Sequence, residues 1–195
     1  MVVILVTIFG TPESPSSTAS PAKVVMFVHD HRGGLYLNAY LTSVTVLIAT
    51  VFLWYLREVV APGAAGRRLA NLGFAGALLF VVGGIYAAGV SFAMADVATH
   101  ANPNVLQTLN IFSEDVNGFG AAATALMMGA TSLAILRSRA LPSWLAYVGL
   151  VLAVASFAIP LLGLPGVGLW VLLTTFVVLV ASRTSKVTGQ LQTSV

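Results

Sequence analysis

The amino-acid sequence predicts an all-α integral membrane protein: a polytopic transmembrane helix bundle of five full spans with a truncated sixth at the N-terminus. Of the 195 residues, 58% are hydrophobic and only 8% are charged, whereas soluble domains carry roughly 25% charged residues. Five apolar runs approach or exceed the length that crosses about 30 Å of hydrocarbon. The basic residues cluster in the connections on one side of these runs, as the positive-inside rule describes.

The chain begins with an apolar stretch, residues 1–9, that is shorter than half a span. It lacks the positive residues that open a signal peptide. We favour a partial spanning helix, and the alternative that stays open is a weak signal peptide cleaved after Ala19. In either case the Ser-, Thr- and Pro-rich residues that follow predict an exposed linker.

Residues 10–34 are predicted to form an outer loop that contains a short interfacial helix. Ser20 and Pro21 suit the N-cap and first turn of a helix. The apolar residues after them recur at helical spacing, which is typical of an amphipathic segment on a membrane surface. A second helix of this kind is expected to begin at Asn102 and Pro103 and to lead into the third full span.

The whole chain is interpreted as one integral membrane domain. The predicted spans are 35–56, 69–95, 116–136, 144–162 and 166–181, followed by a cytoplasmic tail at 182–195. The connection between the first and second predicted spans contains Pro62 and Gly63, and the connection between the third and fourth contains Pro142, as helix breakers. These connections leave no room for a soluble domain.

The distribution of charge predicts the orientation. If the five spans alternate, seven basic residues fall on one side: Arg57, Arg67, Arg68, Arg137, Arg139, Arg183 and Lys186. Only Lys23 and Arg32 fall on the other side, together with five of the six acidic residues. The positive-inside rule therefore predicts a multi-pass protein of the plasma membrane with its C-terminus in the cytoplasm.

The predicted spans contain no Asp, Glu, Lys, Arg or His. Ionisable groups at bilayer depth are typical of ion-coupled carriers, so a proton-driven carrier is disfavoured. The scattered basic residues form no stripe for nucleic acid, and the absence of cysteine excludes disulfides and thiolate metal sites. We expect no cofactor. The expected partners are the lipid bilayer and another membrane protein, and homo-oligomerisation is left undetermined.

Small residues at helical spacing predict where the spans pack together. Glycine and alanine let helix backbones approach closely, which drives helix association in lipid. The predicted helix-packing residues are Gly73, Gly76, Gly84, Ala88, Ala121, Ala125 and Gly129.

The candidate residues for chemistry lie in the outer loops. His29, His31 and His100 are the candidate metal ligands, and four carboxylates lie on the same predicted side, at Asp30, Asp96, Glu114 and Asp115. Imidazole and carboxylate groups are common ligands of divalent metals. However, polar loops outside a membrane collect such residues without any site, and we predict no catalytic residue.

Several short motifs resemble a group of small polytopic bacterial membrane proteins of unknown function, of the actinobacterial type. They are Thr11-Pro12, Ser20-Pro21-Ala22-Lys23-Val24-Val25, His31-Arg32-Gly33, Leu53-Trp54 and Leu141-Pro142-x-Trp144-Leu145. The resemblance implies a six-helix chain whose first helix is incomplete here. It implies no catalytic residues, because that group has no assigned chemistry.

These observations favour a non-enzymatic accessory or scaffold subunit, or a module that binds a small ligand or lipid. The first alternative is an uncoupled channel or facilitator for small solutes, which needs no charged residue in the spans. The second is an outward-facing metal-dependent hydrolase of envelope lipid that uses the three histidines.

Overall fold

The computed structural model describes residues 14–100, 102–159 and 163–192. All regular secondary structure in these ranges is helical, which confirms the predicted all-α class. The helices are α1 (Pro21–Asp30), α2 (Arg32–Val60), α3 (Ala64–Val97), α4 (Pro103–Ser138), α5 (Ser143–Ala158) and α6 (Gly163–Gln192). The partial helix predicted at 1–9 lies outside the described residues.

Three helices are long and apolar enough to cross a membrane: Arg32–Val60, Gly66–Val97 and Pro103–Ser138. They contain the first three predicted spans. The last two predicted spans correspond to shorter apolar helices, Ser143–Ala158 and Pro165–Val180. Helix α6 itself continues to Gln192, through most of the residues predicted as a tail.

Helix α4 is longer than its predicted span. Its N-terminus is where the second interfacial helix was expected, and Asn102 caps it by accepting a hydrogen bond from the Asn104 N–H at 2.9 Å. No proline lies between Pro103 and the end of α4, so no proline interrupts the backbone hydrogen bonds of the helix. The predicted second interfacial helix and the predicted third span therefore form one continuous helix. The helix ends at Ser138, and the capping residue Arg139 adopts the left-handed conformation with φ 53°.

Helix α1 begins at Pro21, where the sequence predicts the first interfacial helix. Its Val24 and Val28 are fully buried against residues of α2, α3 and α4, including Met94 and Leu106. The chain bends at His31, with φ −112° and ψ 17°, before α2 begins. This bend lets the amphipathic helix fold over one end of the bundle.

Successive long helices run antiparallel. At the start of α2, the Arg32 Nε donates to the Ala95 carbonyl near the end of α3, at 2.9 Å. At its other end, the Arg57 Nε donates to the Asn71 Oδ1 near the start of α3, at 2.8 Å. A Cβ on Gly66 of α3 would lie 3.5 Å from the Ser138 Cβ at the end of α4. The α2–α3 and α4–α5 turns therefore meet at one end of the bundle.

We call that end the arginine end, and it carries Arg57, Arg67, Arg68, Arg137 and Arg139. The opposite end, with His29, His31 and His100, is the histidine end.

The main core lies towards the arginine end and is formed by residues of α2 to α6, including Leu56, Ile135 and Trp170. Apolar side chains also cover the outside, as Val51, Val154 and Phe176 show with exposed fractions of 71%, 70% and 68%. Such extensive apolar surface is typical of contact with lipid.

Candidate functional site

Helices α3 and α4 approach each other closely at two glycines of α3. A Cβ on Gly76 would lie 2.6 Å from the backbone nitrogen of Met127 and 3.0 Å from its Cα. One turn away, a Cβ on Gly73 would collide with the Thr131 side chain and lie 3.0 Å from the Thr131 nitrogen. Only glycine has the room for these contacts, so this pair brings the two backbones together.

The other predicted packing residues also lie along helix contacts. A Cβ on Gly84 would lie 2.6 Å from the Val46 Cγ2 of α2, and one on Gly129 would lie at an ordinary 3.8 Å from the Ala153 Cβ of α5. Ala88 and Ala121 are buried, and Ala125 is partly buried. The predicted small residues therefore contact several different helices rather than one.

One glycine that sequence reasoning missed lies where α4, α5 and α6 meet. A Cβ on Gly149 of α5 would overlap both the Ser132 Oγ of α4 and the Trp170 Nε1 of α6. Both polar atoms are buried and have no hydrogen-bond partner among the described residues. The available signal was the pairing of Ala146 with Gly149, two small residues three positions apart on one helix face.

The candidate metal ligands at the histidine end make separate local contacts. His29 forms an ion pair with Asp30 at 3.6 Å, and both side chains are exposed. The His31 ring stacks on Phe27, and its Nδ1 lies 2.9 Å from the Phe27 carbonyl oxygen. The His100 Nδ1 lies 2.7 Å from the Thr99 hydroxyl. Across the described ranges, no three His, Asp or Glu side chains lie close enough to hold a metal ion.

A row of polar side chains on α4 holds the segment that precedes α1. Gln107 Nε2 donates to the Ser17 carbonyl at 2.9 Å, and Asn110 Nδ2 donates to the Pro15 carbonyl at 2.9 Å. The Ser17 N–H donates to the Glu114 carboxylate at 2.8 Å. These three α4 residues share one face of the helix at three- and four-residue spacing, which is the signal that the sequence offered.

We expect Asn110→Ala to release this segment, because Asn110 is fully buried and its loss leaves the Pro15 carbonyl unpaired. A buried hydrogen bond lost in this way costs about 1–3 kcal/mol. Hydrogen exchange of peptides covering residues 14–20 should become faster. Thr108→Ala is the control, since Thr108 is exposed and its hydroxyl bonds only to the carbonyl of Asn104 on the same helix. Equal exchange in the two variants would contradict the prediction.

A cleft opens at the arginine end, where α2 passes into α3. It has a volume of about 510 Å³ and is lined by Arg57, Glu58, Val59, Ala61, Pro62 and Arg67. This volume is within the range of roughly 300–1,000 Å³ that is usual for small-molecule sites. The sequence predicts that both arginines lie on one side of a membrane but gives no signal that they line a common cavity.

The fold and these sites define a class: an all-helical bundle with three helices that are long and apolar enough to span a membrane. No protein-family model, curated protein or solved structure matches the chain.

Proposed function

We propose that this chain is a non-enzymatic, multi-pass subunit of a bacterial plasma membrane, acting as an accessory or scaffold protein or as a module that binds lipid or a small ligand. One observation carries the proposal: the apolar helices pack through glycine and alanine contacts, with no Asp, Glu, Lys, Arg or His between Arg32 and Arg57, between Arg68 and Asp96 or between Asp115 and Arg137. Such a core suits packing and positioning, whereas ion-coupled transport needs charged groups at depth.

The proposed orientation has the arginine end in the cytoplasm. Five arginines and one glutamate, Glu58, lie in or next to the two turns at that end, and cytoplasmic ends of spans are enriched in Lys and Arg. The aromatic side chains Trp54, Tyr55, Trp144 and Tyr147 are exposed near the same end. Aromatic belts of this kind are typical of the level where hydrocarbon meets the headgroups.

The orientation can be tested by single-cysteine labelling, because the chain contains no cysteine of its own. Thr99→Cys places an exposed thiol at the histidine end, and Ala140→Cys places one at the arginine end. A membrane-impermeant maleimide is expected to label Thr99→Cys in intact cells and Ala140→Cys only after permeabilisation. The reverse pattern would overturn the orientation, and labelling of both in intact cells would overturn the membrane-spanning assignment.

The scaffold function is tested by crosslinking in native membranes followed by purification. A stoichiometric protein or lipid that copurifies is expected. A preparation that stays monodisperse without any bound protein or lipid would count against the proposal.

A channel or facilitator is the second candidate, and the buried hydroxyls favour it. Ser132 and Ser156 have buried oxygens without partners in the described part of the chain, and hydroxyl-lined paths can conduct small solutes without charges. Solute flux into liposomes that contain only this protein would favour the facilitator. Liposomes that stay impermeable to the solute would favour the scaffold function.

The metal-dependent hydrolase stays a prediction. Elemental analysis of the purified protein tests it, because a hydrolase of this kind requires a stoichiometric metal.

A further inference from the structure

The cleft at the arginine end is built around a fixed arginine. The Arg57 guanidinium lies 5.1 Å from the ring centre of Trp54 and 6.0 Å from that of Phe74. Its Nε donates to Asn71, and its Nη1 donates to Glu58 at 2.6 Å. Stacking and hydrogen bonding together hold the side chain in one position at the cleft wall.

Arg67 forms the other charged wall of the cleft. It lies in the first turn of α3, where its backbone N–H donates to the Gly63 carbonyl at 3.0 Å. The side chain is exposed and makes no hydrogen bond or ion pair with any residue in the described ranges. Its guanidinium is therefore available for an external anion, whereas that of Arg57 is already partly neutralised.

The surroundings of the cleft are positive. Arg137 in the last turn of α4 and Arg139 just after it add positive charge, and Gly66 packs beside Ser138 so that the two turns are adjacent. Glu58 is the one carboxylate at this end among the described residues. A cleft with this balance of charge attracts oxyanions, and guanidinium groups bind phosphate through paired hydrogen bonds.

The position of the cleft indicates the source of such an anion. It lies at the end of the apolar helices α2 and α3, beside the exposed indole of Trp54. In a membrane-embedded bundle this is the depth of the lipid headgroups, where anionic lipids are the abundant phosphates. Apolar residues of the same wall, Val59, Ala61 and Pro62, suit the glycerol and upper acyl region of a lipid.

We infer that the cleft between Arg57 and Arg67 binds a phosphate-type oxyanion, supplied by the headgroup of an anionic phospholipid. Arg67 supplies the free cationic group, and Arg57 supplies a second one held by Trp54, Phe74 and Asn71. The inference rests on the proposed membrane embedding and deepens it by assigning a ligand class to one site.

The chain offers a matched pair of variants for the test. Arg67→Gln and Arg68→Gln remove the same charge at consecutive exposed positions, but only Arg67 lines the cleft. Glu58→Gln changes the charge in the opposite direction by removing the carboxylate that faces Arg57. The Glu58 side chain is 57% exposed, and Arg67 and Arg68 are exposed as well. The fold should therefore tolerate all three substitutions.

Trp54 provides the readout, since it is exposed and adjacent to Arg57. In a Trp144→Phe background the remaining indole is Trp170, which is fully buried and gives a constant signal. Each protein is reconstituted into vesicles that mix plain phosphatidylcholine with either brominated phosphatidylglycerol or brominated phosphatidylcholine. The ratio of Trp54 quenching by the two brominated lipids measures the preference for the anionic headgroup.

We expect the anionic lipid to be preferred by the parent protein. The preference should fall about fivefold in Arg67→Gln, because one basic residue near an anionic surface contributes about 1 kcal/mol. It should remain nearly unchanged in Arg68→Gln and should increase in Glu58→Gln. Equal losses in Arg67→Gln and Arg68→Gln would overturn the site, since they would indicate only the general charge of that end.

A second arm distinguishes the source of the phosphate. Inorganic phosphate added at millimolar concentration should leave the lipid preference in place at constant ionic strength. If it abolishes the preference, the ligand is free phosphate and the lipid assignment is wrong. Flotation of the vesicles reports the proposed function separately: protein that fails to float with lipid contradicts membrane embedding, whereas embedded protein without headgroup preference contradicts only this inference.

Discussion

Replacing Gly76 by alanine is expected to destabilise the bundle by about 1–3 kcal/mol, the usual cost of forcing extra atoms into a packed interior. The new methyl group would lie 2.6 Å from the Met127 backbone nitrogen. Because that neighbour is backbone, it cannot swing aside as a flexible side chain would. Relief requires α3 and α4 to separate along their whole contact, which also weakens the packing at Gly73.

Thermal unfolding in detergent, followed by circular dichroism, measures this effect. Gly89→Ala is the matched control, since it makes the same chemical change on the same helix where a Cβ would meet no atom within 4 Å. Alanine is the better helix former by up to about 1 kcal/mol, so the control should be neutral or slightly stabilising. Equal melting temperatures for Gly76→Ala and Gly89→Ala would show that the close approach of α3 and α4 is absent.

Gly149→Ala is expected to have an effect of similar or larger size, because the added Cβ would overlap two side chains at once. The Ser132 Oγ and the Trp170 Nε1 approach Gly149 from two different helices, α4 and α6. Trp170 is fully buried and large, so it has little freedom to move. We expect a loss of about 2–3 kcal/mol and a change in the environment of Trp170.

The effect of Gly149→Ala is measured by the thermal unfolding midpoint and by the fluorescence emission of Trp170. For the emission, Trp54 and Trp144 are replaced by Phe so that Trp170 is the only remaining tryptophan. Gly129→Ala is the control, because a Cβ there would make ordinary contact at 3.8 Å with Ala153 of the same α5 helix. A double variant with Ser132→Ala should recover part of the stability, since one of the two colliding atoms is gone. No recovery, together with unshifted emission, would contradict the described contact.

The packing residues could be predicted in part from spacing alone. Gly73 and Gly76 stand three apart on one helix face, and small residues in such pairs are a general signature of close helices. The spacing does not say which helix approaches. It equally marks Gly84, which faces the Val46 side chain of α2, and it passes over Gly149, which faces a serine and a tryptophan.

The α4 polar row and the cleft show a second limit of sequence reasoning. Asn110 looks like a solvated polar residue near the start of a helix, yet it is fully buried because the segment before α1 lies across it. The contact joins residues 95 positions apart in the chain. No local pattern reports such a distant pairing, because helix propensity and periodicity depend only on near neighbours.

The sequence by itself determined the class of the fold and predicted that lipid surrounds most of the chain. Long apolar stretches without charge cannot cover a water-soluble surface, and helices are the structures that satisfy their own backbone hydrogen bonds in lipid. The tertiary structure alone decided which faces meet, that the predicted third span and its preceding helix are continuous, and that Arg57 and Arg67 share a cleft. The reason is physical: hydropathy is a property of each segment, whereas close packing depends on the shapes of two surfaces that are distant in sequence.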